Sequence, residues 1–191
     1  MKTARLEAFT DGVIAIIITI MVLEIRVPRG ADLAALQADV PVLLAYLLSY
    51  INVGIFWNNH HHMLHAAEHV NGKVLWANLA LLFWLSLVPF VIRWIDESGF
   101  TALPTASYGV VLVGAAVCYI VLQQQLVALN GRDSRLAIAL GHDRKGKITL
   151  AMYLVAVPLA FVRPWIAMLL YIAVLLIWLV PDTRIEALVR E

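Results

Sequence analysis

Cysteine is nearly absent from this chain of 191 residues; the one thiol, Cys118, lies within an apolar run. That excludes an intramolecular disulfide and a zinc knuckle, and its setting is that of a small buried hydrophobe. Charge is scarce as well. Asp, Glu, Lys and Arg make up 14% of the residues against 62% hydrophobic, and the formal net charge is +1. No basic surface or tail is available for a nucleic acid. Enzymatic signatures are missing too: there is no Gly-x-Ser-x-Gly, no phosphate loop and no pair of carboxylates in a plausible cleft. The chain does not read as an enzyme, and nothing in it calls for a cofactor. It shows no internal repeat. Its first apolar stretch is not expected to be a signal peptide, because it carries an acidic residue and lacks a small-residue cleavage site.

What is abundant is apolar sequence, more than a water-soluble core of this size can hide. Six apolar segments follow one another, at about 4–25, 40–64, 74–95, 104–129, 148–161 and 164–180. Clusters of Pro, Gly and charge separate them: 26–30, 71–73, 96–99 and the polar stretch 130–147. The expected fold is therefore all-α, an integral membrane protein with six transmembrane helices in one domain spanning 1–191. The last two segments, joined at Arg163-Pro164, should form a helical hairpin. With the N-terminus in the cytosol, four basic residues fall outside (Arg26, Arg29, Arg93, Arg163) and the rest of the 14 fall inside. This bias places both termini in the cytosol.

The first segment holds the most unusual residues. Its uninterrupted apolar part, 13–23, is shorter than the roughly 20 residues that span lipid alone, and Arg5, Glu7 and Asp11 precede it. Ionisable groups at such depth are costly, about 2.5–3.5 kcal/mol each on insertion scales, and persist where they pair inside a bundle or line a pathway. On a helix, Ile16, Ile20 and Leu23 fall within a sector of about 60°, with Thr19 and Gly12 at its edge. Spacing alone favours ordinary packing of this stripe against neighbouring helices over a pathway. Asp11 projects about 140° from Ile16, towards neighbouring helices. Arg5 and Asp11, six apart, do not meet on one helix, so each needs partners elsewhere. Asn58, Asn59, His60 and His61 on the second segment, and Asn78, Trp76 and Trp84 on the third, are the candidates.

Arg5-Leu-Glu-Ala-Phe9-Thr10-Asp11-Gly12-Val13 resembles the Arg-x-x-x-Phe-(Ser/Thr)-Asp-Gly-Val signature of the bacterial branch of the transmembrane protein 175 family, potassium-permeable channels with lysosomal members. Phe56-Trp57-Asn58-Asn59-His60-His61 resembles that family's second helix, and Leu75-Trp76-Ala77-Asn78-Leu79 through Pro89-Phe90 its third. Thr10 stands where serine is common, and Leu64 where an aromatic is usual. The resemblance covers the first half of the chain. It implies a homotetramer in a bacterial plasma membrane, with the first helix of each subunit around a central pore. Ile16 would be its hydrophobic constriction and Thr19 a hydroxyl layer, with Ile20 and Leu23 on the same lining. Monovalent cations would pass, potassium transiently near Thr19, with no resident metal and no cofactor. Arg5, Phe9, Thr10 and Asp11 would form a structural polar network with His60, His61, Asn78 and Trp76. Nothing resembles Thr-Val-Gly-Tyr-Gly, so a carbonyl-lined filter is not expected.

The histidines allow a second reading. His61, His65 and His69 are spaced i, i+4, i+8, adequate for a transition-metal site on one helix face. A secondary transporter of cations or metal ions could use them, although the two halves lack the matching broken helices of such proteins. Otherwise His60 and His61 belong to the network, His65 and His69 to the wet end of the helix, and His142 to solvent. A membrane scaffold without transport is a third class.

Overall fold

The structure, a computed structural model, describes residues 3–131, 133–141 and 143–179. Among these, every regular element is a helix: α1 (Ala4–Leu23), α2 (Leu33–Ala38), α3 (Val40–His65), α4 (Gly72–Ser86), α5 (Val88–Ser98), α6 (Ala102–Asn130), α7 (Arg135–Leu140), α8 (Arg144–Val162) and α9 (Pro164–Leu179). Helices satisfy their backbone groups internally, as lipid requires. Five stretches are long and apolar enough to cross a membrane: α1, α3, α4 with α5, α6 and α8. α9 is apolar but shorter, with 16 residues. Lys2, His142, Arg132, Arg184, Arg190 and the end of the last apolar segment lie outside the described residues.

The local chemistry departs from a plain series of spans in three places. The 74–95 segment is not one helix: it breaks at Leu87, with Pro89 in the first turn of α5, where a missing backbone N–H does no harm. Ser86 Oγ donates to the Phe83 carbonyl at 2.7 Å beside the break. The 130–147 stretch is not all loop. Ser134 caps α7 by accepting from the Ala137 N–H at 3.2 Å, and Asp143 caps α8 by accepting from Gly146 at 2.8 Å. Between α1 and α3, Asp32 starts the short α2 in the same way, at 2.9 Å from the Ala35 N–H.

The core gathers around α6, which packs on α4, α5, α8 and α9. Gly114 allows close approach there, since any Cβ would collide with the Trp84 ring. Buried polar groups join helices within this half: Ser49 Oγ donates to Tyr108 Oη at 3.0 Å, Asn52 Nδ2 to Tyr153 Oη at 3.3 Å, and Tyr171 Oη to the Thr105 carbonyl at 3.1 Å. In a bilayer the alternative to each bond is a polar group stranded in hydrocarbon. α1 stands to one side, packed on α3, α4 and α5.

Candidate functional site

α1 has two faces of opposite character. Leu6, Thr10, Ile14, Ile17 and Met21, spaced by three or four residues, are buried towards α3, α4 and α5. The other face lacks cover from its own chain: Ile16 is 58% exposed, Ile20 40% and Leu23 79%. Thr19 is exposed on the same side, and nothing lies within 4 Å of where a Cβ at Gly12 would sit. Thr19 Oγ1 donates to the Ile16 carbonyl at 2.9 Å. Its proton is therefore engaged along the helix, and the oxygen turns only lone pairs outward. An apolar stripe with one layer of acceptors can replace part of a cation's hydration shell and offers an anion nothing.

The buried face carries a chain of hydrogen bonds. Asn78 Nδ2 donates to Thr10 Oγ1 at 2.9 Å, and Asn78 Oδ1 lies 2.7 Å from His60 Nε2. An amide oxygen can only accept, so the proton belongs on Nε2. His60 Nδ1 then carries a lone pair and meets no partner among the described residues. All three side chains are fully buried. Nearer the start of α1, Trp57 Nε1 donates to Asp11 at 2.8 Å, and His61 Nδ1 lies 2.7 Å from Glu7. The Trp57 and His61 rings stack with centroids 6.0 Å apart. Positions 57, 60 and 61 lie one turn apart and so share one face of α3, which lets that helix grip α1 directly and through Asn78 of α4.

Of the residues expected in the network, the fold thus brings together Thr10, Asp11, His60, His61 and Asn78. Arg5 is exposed and makes no ion pair or hydrogen bond among the described residues; Phe9 is 52% and Trp76 75% exposed. These three face away from the intrachain contacts. Glu7 and Trp57 belong to the network but were not among the expected partners. The signal was present: Glu7 is one turn before Asp11, and Trp57 one turn before His61.

The histidine row stops short. α3 ends at His65, and His69 lies beyond its C-cap Ala66. There Asn130 of α6 accepts from the backbone N–H groups of Glu68 and His69 at 3.0 and 2.9 Å and donates to the His69 carbonyl at 3.1 Å. His61 and His65 stack at 5.9 Å. Among the described residues, no three His, Cys, Asp or Glu side chains converge as a metal site.

Comparison with known proteins adds to this geometry. The profile of the family described as endosomal/lysosomal potassium channel TMEM175 matches residues 5–89. A protein named as a potassium channel from Chryseobacterium sp. (strain P1-3) is 48% identical over 191 residues, the whole of both chains. Another so named, from Streptomyces collinus (strain DSM 40733 / Tue 365), is 29% identical across 89% of this chain and 91% of that one. The crystal structure of a lysosomal potassium-selective channel TMEM175 homolog from Chamaesiphon minutus superposes with a TM-score of 0.81 at 26% identity, covering 94% of this chain and 97% of that one.

Proposed function

Because the chain belongs to the TMEM175 family, sharing 48% of its residues with a relative along the full length of both, we propose that it is a potassium-selective cation channel. Four copies assemble with α1 of each around a common axis, since one subunit supplies one candidate lining helix and a closed ring needs several. The observation that carries the reading is the bare face of α1, where Ile16, Thr19, Ile20 and Leu23 lack cover while the opposite face is packed.

In this assembly Ile16 forms the constriction. A ring of branched aliphatics too narrow for water presents an ion with a desolvation barrier rather than a charge barrier. Thr19, one turn on, supplies the acceptors that offset part of that dehydration, and potassium sheds its shell at lower cost than sodium. Arg5 shares the side of α1 that carries Ile16, and with Phe9 and Trp76 it is left free for contact between subunits. α9 makes the sixth crossing, both termini lie in the cytoplasm, and the protein resides in a bacterial plasma membrane.

The test is conductance of purified protein in planar bilayers, recorded with the yield of assembled protein. The parent should give unitary steps that favour potassium over sodium. Ile16→Asn should wet the ring and raise resting current, and Ile16→Phe should block it. If both variants assemble and conduct like the parent, Ile16 is packing and the reading of α1 as the lining fails at its narrowest point.

A further inference from the structure

At the end of α1 remote from the histidines, five charged side chains interlock. Arg93 of α5 reaches Glu24 at 2.7 Å and Glu97, one turn further on, at 3.1 Å. Glu97 is also 3.3 Å from Arg26, whose Nε lies 3.2 Å from Asp96. Three carboxylates thus share two guanidinium groups. Contacts at this end of α1 are otherwise thin. Met21 is fully buried, but Val22 is 49% exposed and Leu23 follows it into the open. Along the outer half of α1, an open groove of about 750 Å³ separates it from α5, lined by Ile16, Ile20, Phe90 and Trp94 and bordered by Glu24, Arg93 and Glu97. α1 and α5 touch beside this groove, and at its end the charges bridge them. α5 follows the one-residue break at Leu87, so the bridge ties the last turn of α1 to the second part of that span.

We infer that the ion pair between Glu24 and Arg93 fixes the outer end of α1, and so the position of Leu23, and that both are positioning residues for conduction. The inference rests on the reading of α1 as the pore helix. Glu24 directly follows Leu23, so a shift of its carboxylate moves the last turn with it. With Arg93 neutralised, Glu24 loses its partner across the groove and the turn keeps only the packing of Met21 on its inner side. Leu23 then wanders, and the open pore closes more often. Glu97 steadies Arg93 from behind, and Arg26 and Asp96 hold the connection that follows.

The experiment is a double-mutant cycle read as mean open time in planar bilayers, on protein that elutes like the parent. Glu24→Gln and Arg93→Gln should each shorten the mean open time about two- to fivefold, the factor that an exposed pair supports. The double variant should match Arg93→Gln alone, because the groups act as one unit. Arg93→Lys, which keeps the charge, should recover most of the parental open time; a role confined to folding would show in yield and leave open times unchanged. Multiplying effects in the double variant would overturn the pairing. So would parental open times in both single variants while Ile16→Asn still raises resting current, a result that leaves the pore reading standing. If Ile16→Asn is silent as well, the pore reading fails and takes the inference with it.

Discussion

Asn78 is the hinge of the buried chain, and its removal tests whether that chain holds α1 in place. In Asn78→Ala the His60 Nε2–H and the Thr10 hydroxyl both lose their partner in a fully buried site. Each stranded group costs about 1–3 kcal/mol. The two are not equivalent. Thr10 loses only a donor to its oxygen, and its own proton can still bond a carbonyl one turn back on its helix, whereas the His60 N–H is left with no acceptor. The vacated volume, on the order of 25 Å³, adds about 0.6 kcal/mol. A net loss of about 2–3 kcal/mol follows, which for a chain of this size lowers the melting temperature by about 4–12 °C. Thr10→Val strands only one amide N–H of Asn78 and should cost about 1 kcal/mol. Because both variants break the same bond, the double variant should fall short of their sum by about 1 kcal/mol. The assay is thermal unfolding of detergent-solubilised protein, followed by fluorescence of the six tryptophans. An Asn78→Ala protein that melts with the parent, or strict additivity in the double variant, would refute the chain as a structural unit.

Two further substitutions separate the roles on α1. Asp11→Ala removes the acceptor of the Trp57 N–H, but both side chains are partly solvent-accessible, so water can replace the lost group and the cost should be about 1 kcal/mol; Asp11→Asn, which keeps an oxygen, should cost less, with melting temperature and tryptophan emission as the readouts. Thr19→Val keeps the shape of the layer and removes its oxygen, so the preference for potassium should fall while the melting temperature holds; unchanged reversal potentials in mixed potassium and sodium solutions would clear Thr19 of any part in discrimination.

Hydropathy reveals the helical membrane class because a bilayer demands apolar length and internal backbone bonding, both written locally. Opposite faces of α1 were legible for a similar reason: a period of 3.6 residues sets Ile16, Ile20 and Leu23 against Ile14, Ile17 and Met21 before any contact is known. What proved illegible depends on distance in three dimensions. Glu24 and Arg93 meet across 69 positions of sequence, and no local pattern joins them. The pairs Ser49 with Tyr108 and Asn52 with Tyr153 are 59 and 101 positions apart. Arg5, Phe9 and Trp76 stand beside motif residues that do join the network, yet their helix phases leave all three exposed. The break at Leu87 was within reach, since Pro89 marks it, but an apolar run on both sides of a proline reads as one span when hydropathy is averaged.

The bond from Thr19 to the Ile16 carbonyl bears on which sign of charge the proposed pore admits. Many cation pathways reject anions with fixed acidic rings, whose field fades as ionic strength rises. Here the rejection would come from proton placement: four hydroxyls, each with its hydrogen committed along the helix, leave a layer of oxygens with no donor to welcome chloride. Such a layer carries no net charge to be screened. Discrimination against anions should therefore hold from dilute buffer to molar salt, and it would weaken only when something pulls those protons off the Ile16 carbonyls and into the lumen.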